Sequence, residues 1–176
     1  MYKRQDKWIK GETGFPFLDA CMKFLQKNGW INFRMRAVIM SFASYNMWQP
    51  WQKTSPLLAE LFTDYEPGIH ISQVQMQSGV TGINLPRIYS VPKQSMDQDI
   101  NAEWTKKLLP QLDNFDPKLI HNAELDGLYI PKIVDLKVSA KFARDKIWGI
   151  RKSKEFKDEA RKVYLKHGSR RKRNIN

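Results

Sequence analysis

The segment Gly11-Glu12-Thr13-Gly14-Phe15-Pro16, running into Phe17-Leu18-Asp19-Ala20-Cys21-Met22-Lys23, constrains this chain more than any other. Pro16, with φ held near helical values, suits the opening turn of a helix. From there Phe17, Leu18, Cys21, Met22 and Leu25 recur at helical spacing and predict one apolar face. Asn28-Gly29 supplies a C-terminal stop. The same reading predicts a second helix over 32–48, ended before Pro50, and a third over 56–62 opened by Thr54 and Ser55 as cap candidates. Residues 64–98 are rich in Gly, Pro, Ser and Gln and lose helical periodicity, which predicts a long functional loop. Helix returns over 100–109, closed by Pro110, and an irregular stretch follows to Asp135. Two last helices are predicted over 139–150 and 154–167, with Gly149 softening the boundary between them. Alternating β-branched runs are scarce. The expected fold class is therefore all-α, a helical bundle with long irregular loops.

The chain carries 30 lysines and arginines against 18 carboxylates, a formal net charge of +12. Such a surplus favours polyanionic partners such as nucleic acid. It is concentrated between Lys137 and Arg173 and ends in Ser169-Arg170-Arg171-Lys172-Arg173. That pattern reads as a solvated basic helix with a disordered tail, or as a tail that contacts phosphates without sequence preference. No apolar run is long enough to span a bilayer, and the start lacks a secretory pattern. A single cysteine, Cys21, excludes an internal disulfide and points to a reducing, cytoplasmic setting, where a packed thiol is expected. No Cys/His cluster has metal-ligand spacing, so no metal is expected.

Arg34 and Arg36 lie two apart in the predicted second helix, so they point to nearly opposite sides. Arg36 shares its side with Ile39, Met40, Ala43 and Met47. A guanidinium on such a face needs an anionic partner, and Asp64 and Glu66 are the nearest candidates downstream. Such a pair either holds two helices together or faces a ligand.

The Gly11–Lys23 segment, followed by Gly29-Trp30-Ile31-Asn32-Phe33-Arg34-Met35-Arg36, resembles the FAD-binding helical domain of the photolyase/cryptochrome family. Further landmarks keep the family's order: Ser41-Phe42, Trp51, Asp64, Arg87-Ile88-Tyr89, Gln94, Trp104 and Leu109-Pro110-Gln111-Leu112, then Ile130-Pro131-Lys132-Ile133-Val134-Asp135. The resemblance implies a folded FAD, with Arg36 against the flavin, Asp64 as its carboxylate partner, and Tyr65 and Glu66 contacting the cofactor. It implies that Arg34 and Gln94 face damaged DNA. Phe33 stands where the family has an asparagine that touches substrate or cofactor. The resemblance also puts His70 or a neighbour beside flavin N5. It matches Trp51 to the middle of a three-tryptophan electron relay, whose flavin-proximal member has no counterpart here. The expected organisation is a partial FAD-binding domain over 1–135, basic helices over 136–168 and a basic tail over 169–176. The family's preceding α/β domain and phosphate grips have no counterpart in this sequence, so a partial FAD site, completed by a chain carrying that first half, is expected. The implied role is light-driven repair of pyrimidine dimers in DNA, or blue-light sensing. The alternative is a cofactor-free basic helical module that binds nucleic acid.

Overall fold

A computed structural model describes residues 2–81 and 86–167; the basic tail expected at 169–176 lies outside them. Ten α-helices follow one another, and no strand occurs among the described residues. They are α1 (Tyr2–Lys10), α2 (Pro16–Asn28), α3 (Phe33–Ser41), α4 (Trp51–Ala59), α5 (Pro67–Gln77), α6 (Val91–Gln98), α7 (Glu103–Leu108), α8 (Pro117–Asn122), α9 (Leu136–Lys152) and α10 (Lys154–His167). The all-α expectation therefore holds.

Helix α2 is the centre of the core. Pro16 opens it and Gly29 closes it in the left-handed region at φ 69°, its N–H bonded to the Leu25 carbonyl. Phe17, Leu18, Cys21, Met22 and Leu25 are all essentially inaccessible to solvent, together with Trp8 from α1. Asp19 is buried on the same helix and accepts four hydrogen bonds: Thr13 N at 2.7 Å, Thr13 Oγ1 at 2.6 Å, Gly14 N at 3.1 Å and Tyr129 Oη at 3.0 Å. Those donors offset the cost of burying a carboxylate and lock the glycine turn onto the 129–133 segment. Gly14 is required there. At φ 85°, a Cβ would lie 2.6 Å from Lys132 Cα and 2.7 Å from the Ile130 carbonyl oxygen.

Three expectations need correction. The stretch 64–98 is not one irregular loop, because α5 and α6 lie within it. Helix α5 is capped by Glu66, whose Oε2 accepts from Ile69 N at 2.7 Å, and it starts on Pro67. It buries His70, Val74 and Gln77, so two of its three buried residues are polar and an apolar period misses it. Helix α6 is likewise capped by Ser90 and has Pro92 in its first turn. Second, α4 begins at Trp51, not at Pro56, and passes through Pro56. Burial of Thr54, Ser55 and Leu58 outweighs the hydrogen bond that a proline removes. Third, the helix expected over 32–48 is α only to Ser41. Phe42–Asn46 is a π-helical turn, in which Met47 N bonds the Phe42 carbonyl at 3.0 Å. It is followed by Trp48 at φ 54°, whose ring meets Phe142 of α9 edge-on at 5.2 Å. The short helices α1 and α8 lie outside the predicted set.

Candidate functional site

The connector after α2 builds one side of a cleft. The Gly29 carbonyl accepts from Thr63 N at 2.9 Å and Thr63 Oγ1 at 3.2 Å, which fixes the turn carrying Asp64. A Cβ on Gly29 would strike the Thr63 side chain. The Ile31 carbonyl accepts from Arg36 Nε at 2.8 Å, and Arg36 Nη2 reaches Asp64 Oδ2 at 2.9 Å. The guanidinium lies 4.2 Å from the Phe62 ring centroid. It is thus held from three sides, half-buried, with its charge at the cleft rim. The Arg36 hydrogen bond pulls the Asp64 carboxyl below its usual range.

Opposite stands α5. His70, Gln73, Val74 and Gln77 face α3 and α4 across a cavity of about 110 Å³, walled by Ala37, Met40, Leu58 and Phe62 and rimmed by Phe33, Tyr65, Glu66 and Ile69. His70 Nε2 is 3.0 Å from Ser55 Oγ and 3.1 Å from the Ser55 carbonyl oxygen. A carbonyl only accepts, so Nε2 carries the proton and Nδ1 is the acceptor. Burial, reinforced by the Arg36 charge, lowers the His70 pKa from its ordinary value; the imidazole is neutral at pH 7. The Tyr65 ring meets His70 edge-on at 5.2 Å.

Among the residues singled out from sequence, Arg36, Asp64, Tyr65, Glu66, His70 and Phe33 therefore share one cleft. Trp51, Arg34 and Gln94 do not line it. Trp51 opens α4 and is joined to the cleft by that helix, four residues before Ser55. Arg34 turns away and lies over Tyr89 at 5.8 Å. Gln94 is buried in α6. Gln73 and Gln77 escape sequence reasoning because α5 carries no apolar period. Once α5 is drawn, the spacing 70, 73, 77 marks one face.

Residues 2–149 match the family described as the FAD binding domain of DNA photolyase. This chain belongs to that family. The match covers the glycine turn, the α2 core and the cleft together, so the resemblance read from the landmarks holds and FAD is the cofactor of this domain type. The photolyase-type domain is 32% identical over 117 residues to a deoxyribodipyrimidine photo-lyase of Buchnera aphidicola, covering 65% of this chain and 24% of that protein. It is 30% identical over 135 residues to a cryptochrome DASH of Solanum lycopersicum, covering 75% and 23% respectively. The chain thus spans about a quarter of the length of these curated relatives. Among solved structures it is similar to the Sulfolobus tokodaii photolyase crystallised with two FAD molecules, with a TM-score of 0.79, 23% identity, and coverage of 85% of this chain and 35% of that one. At that identity the likeness concerns the fold. Among the described residues no cluster of His, Cys, Asp or Glu is placed to hold a metal ion, and no helix is long and apolar enough to cross a membrane.

The cleft suits the isoalloxazine edge of FAD. Gln73 Oε1 is buried in its lining without a hydrogen-bond partner, an acceptor that a ring N–H would satisfy. Apolar walls, an acceptor nitrogen on His70 and a fixed cation complete a surface for a flat, partly anionic ring. At about 110 Å³ the cleft falls below the ~300–1,000 Å³ of ordinary ligand pockets, so it has room for one edge of such a cofactor and not for the whole of it.

Proposed function

We propose that this chain is the flavin-facing portion of a light-driven flavoprotein acting on DNA, by repair of pyrimidine dimers, or sensing blue light. The observation that carries the reading is the Arg36–Asp64 pair at 2.9 Å on the rim of an apolar cleft. Bound FAD supplies one-electron chemistry on light excitation. The chain's own residues hold and tune it. Arg36, anchored by Asp64 and the Ile31 carbonyl, favours electron-rich states of the ring through its fixed positive charge. His70 presents an acceptor nitrogen to the ring, with its tautomer set by Ser55. Tyr65 and Phe33 shield the rim. Glu66 positions the site by capping α5.

Trp51 has the relay role, through α4 to the cleft wall. Arg34, Phe33 and Gln94 belong to the DNA side in this reading; exposed Phe33 and the Arg34 guanidinium suit base stacking and a phosphate, and buried Gln94 shapes the face from beneath. Residues 1–135 form the partial FAD-binding unit and 136–168 its basic helices. A segment or separate chain carrying the family's other half completes the grip on the FAD phosphates, and catalysis needs that half. The lone buried thiol of Cys21 fits a reducing cytoplasm.

The test is absorption of the purified chain, with and without the complementing half, after FAD is added and excess removed. Bound flavin that is released on denaturation supports the reading, and Arg36→Leu should abolish retention. A wild-type protein that retains no flavin in either form sinks it and favours the cofactor-free nucleic-acid module. Flavin retained by Arg36→Leu would remove Arg36 from the site.

A further inference from the structure

The π-turn and the left-handed residue that follows it border a second cavity. Met47 N bonds the Phe42 carbonyl and Gln49 N the Ala43 carbonyl, each at 3.0 Å, and the backbone passes through φ 54° at Trp48. Wide turns and left-handed non-glycine residues cost energy and concentrate at ligand sites. Here they bring Ser44, Tyr45, Trp48 and Gln49 into one lining. Gly79, just after α5, completes it together with Ile147, Arg151 and Phe156 from around the α9–α10 junction. The cavity measures about 600 Å³, within the ~300–1,000 Å³ of small-ligand pockets. Among the described residues it shares no lining residue with the cleft that bears Arg36.

Two groups in this lining are buried and unanswered. Tyr45 is 1% exposed and Gln49 7%, yet Tyr45 Oη and Gln49 Oε1 have no hydrogen-bond partner. Gln49 Nε2 is engaged, donating to the Met47 carbonyl at 3.3 Å, so the oxygen is what remains. Burial pushes the Tyr45 hydroxyl up to about 12, so it stays protonated and able to donate. Gly79 keeps room for that hydroxyl, since a Cβ there would lie 2.5 Å from it. The two serines of the lining are satisfied: Ser78 Oγ donates to the Val74 carbonyl at 2.7 Å and lies 3.0 Å from Ser44 Oγ. A donor and an acceptor left open in one cavity each carry a desolvation cost that a ligand relieves.

Charge and shape narrow what that ligand is. Arg151 is half-buried, its guanidinium 5.8 Å from the Trp148 ring centroid and 5.2 Å from that of Phe156. Among the described residues no carboxylate lines the cavity or lies within ion-pair distance of Arg151. Trp48, Trp51 and Phe156 supply flat apolar surface beside this cation. We propose that the cavity binds a small planar aromatic acid carrying a ring N–H or O–H. Its carboxylate meets Arg151, its ring lies against the tryptophans, its donor answers Gln49 Oε1, and Tyr45 Oη donates to one of its oxygens. An inorganic anion would use the cation and leave the aromatic walls and Gln49 Oε1 unserved.

The experiment is isothermal titration calorimetry of the whole chain, without flavin, against indole-3-acetate and 4-hydroxybenzoate. At least one should bind in one-to-one stoichiometry. Its neutral amide, indole-3-acetamide or 4-hydroxybenzamide, should bind at least about tenfold more weakly, the usual effect of losing a charge-assisted bond. Arg151→Gln should erase the difference between acid and amide. Tyr45→Phe should weaken the acid about fivefold. Because that change deletes a hydroxyl that has no partner within the protein, the urea midpoint of the ligand-free variant should stay level or rise, which a merely structural hydroxyl would not allow. Failure of both acids to bind would overturn the proposal, as would an amide bound as tightly as its acid, full affinity in Tyr45→Phe, or displacement of the acid by an equal concentration of inorganic phosphate. Since no flavin is present, failure here leaves the cleft reading untouched, and failure of flavin binding leaves this one standing.

Discussion

The region up to Asp135 and the segment of α9 and α10 are built on opposite terms. In the first, apolar burial decides the structure. Trp8, Phe17, Leu18, Met22, Leu25 and Ile39 are sealed from solvent, and Asp19 among them is matched by four donors. Among the described residues of α9 and α10 only Ala143 is fully buried, and charge dominates what is left. The lesson is that stability and surface charge are divided along the chain. Removing a group buried in the core of the first region costs folding; removing an exposed cation from the second leaves the fold and changes only the charge the surface presents.

That division exposes itself to mutation. The largest effect is expected at Asp19→Ala, which leaves four donors without their acceptor. A loss on the order of 4 kcal/mol, or no cooperative transition at all, should appear in urea denaturation. A near-neutral result would mean that the glycine turn is not tied down through this carboxylate.

A smaller loss, about 1–2 kcal/mol, is expected for His70→Gln, and it should depend on pH. The folded pKa of His70 is lowered from the usual value near 6.5. Its contribution to stability is therefore complete above that value and is lost as the pH falls below it, through the lowered folded pKa. Melting temperatures followed from neutral to acid pH should drop more steeply in the wild type than in the variant. Parallel curves would show that His70 is not buried neutral.

Asp64→Asn separates stability from recognition within the cleft itself. Its carboxylate is half exposed, so the pair with Arg36 contributes less than about 1 kcal/mol to folding. Flavin retention should nevertheless fall sharply, measured by absorbance after gel filtration. Equal losses in stability and retention would make the pair a helix fastener alone. At the foot of the scale, Lys141→Ala, at an exposed position of α9, should shift urea denaturation by no more than about 0.5 kcal/mol.

Helix α2 is legible in the sequence because its boundaries and its face are local. A proline fixes the start, a left-handed glycine fixes the end, and apolar residues fall at one period. That Arg36 needs a carboxylate partner follows from the cost of leaving a cation unpaired near apolar neighbours; the choice of Asp64 over Glu66 comes from the family resemblance. Helix α5 is not legible. Its buried side holds His70 and Gln77, which carry no apolar signal, and those residues are acceptable inside only because Ser55 and the cleft are there to receive them. The π-turn at Phe42–Asn46 gives no sign in composition, since the switch to a wider bond pattern depends on how Trp48 and Asn46 meet α9.

What the order of residues dictated was the all-helical class, the α2 core, the family, and the uneven distribution of charge, because each rests on spacing, caps or counting. What awaited the folded chain was the cleft's far wall, the neutral state of His70, and the meeting of the π-turn, the end of α5 and α9 around a second cavity. Those depend on burial and on partners from 15 to more than 100 residues away, as Ser55 to His70 and Asp19 to Tyr129 illustrate. No local pattern encodes an interaction whose energy exists only after water has been excluded from both sides of it.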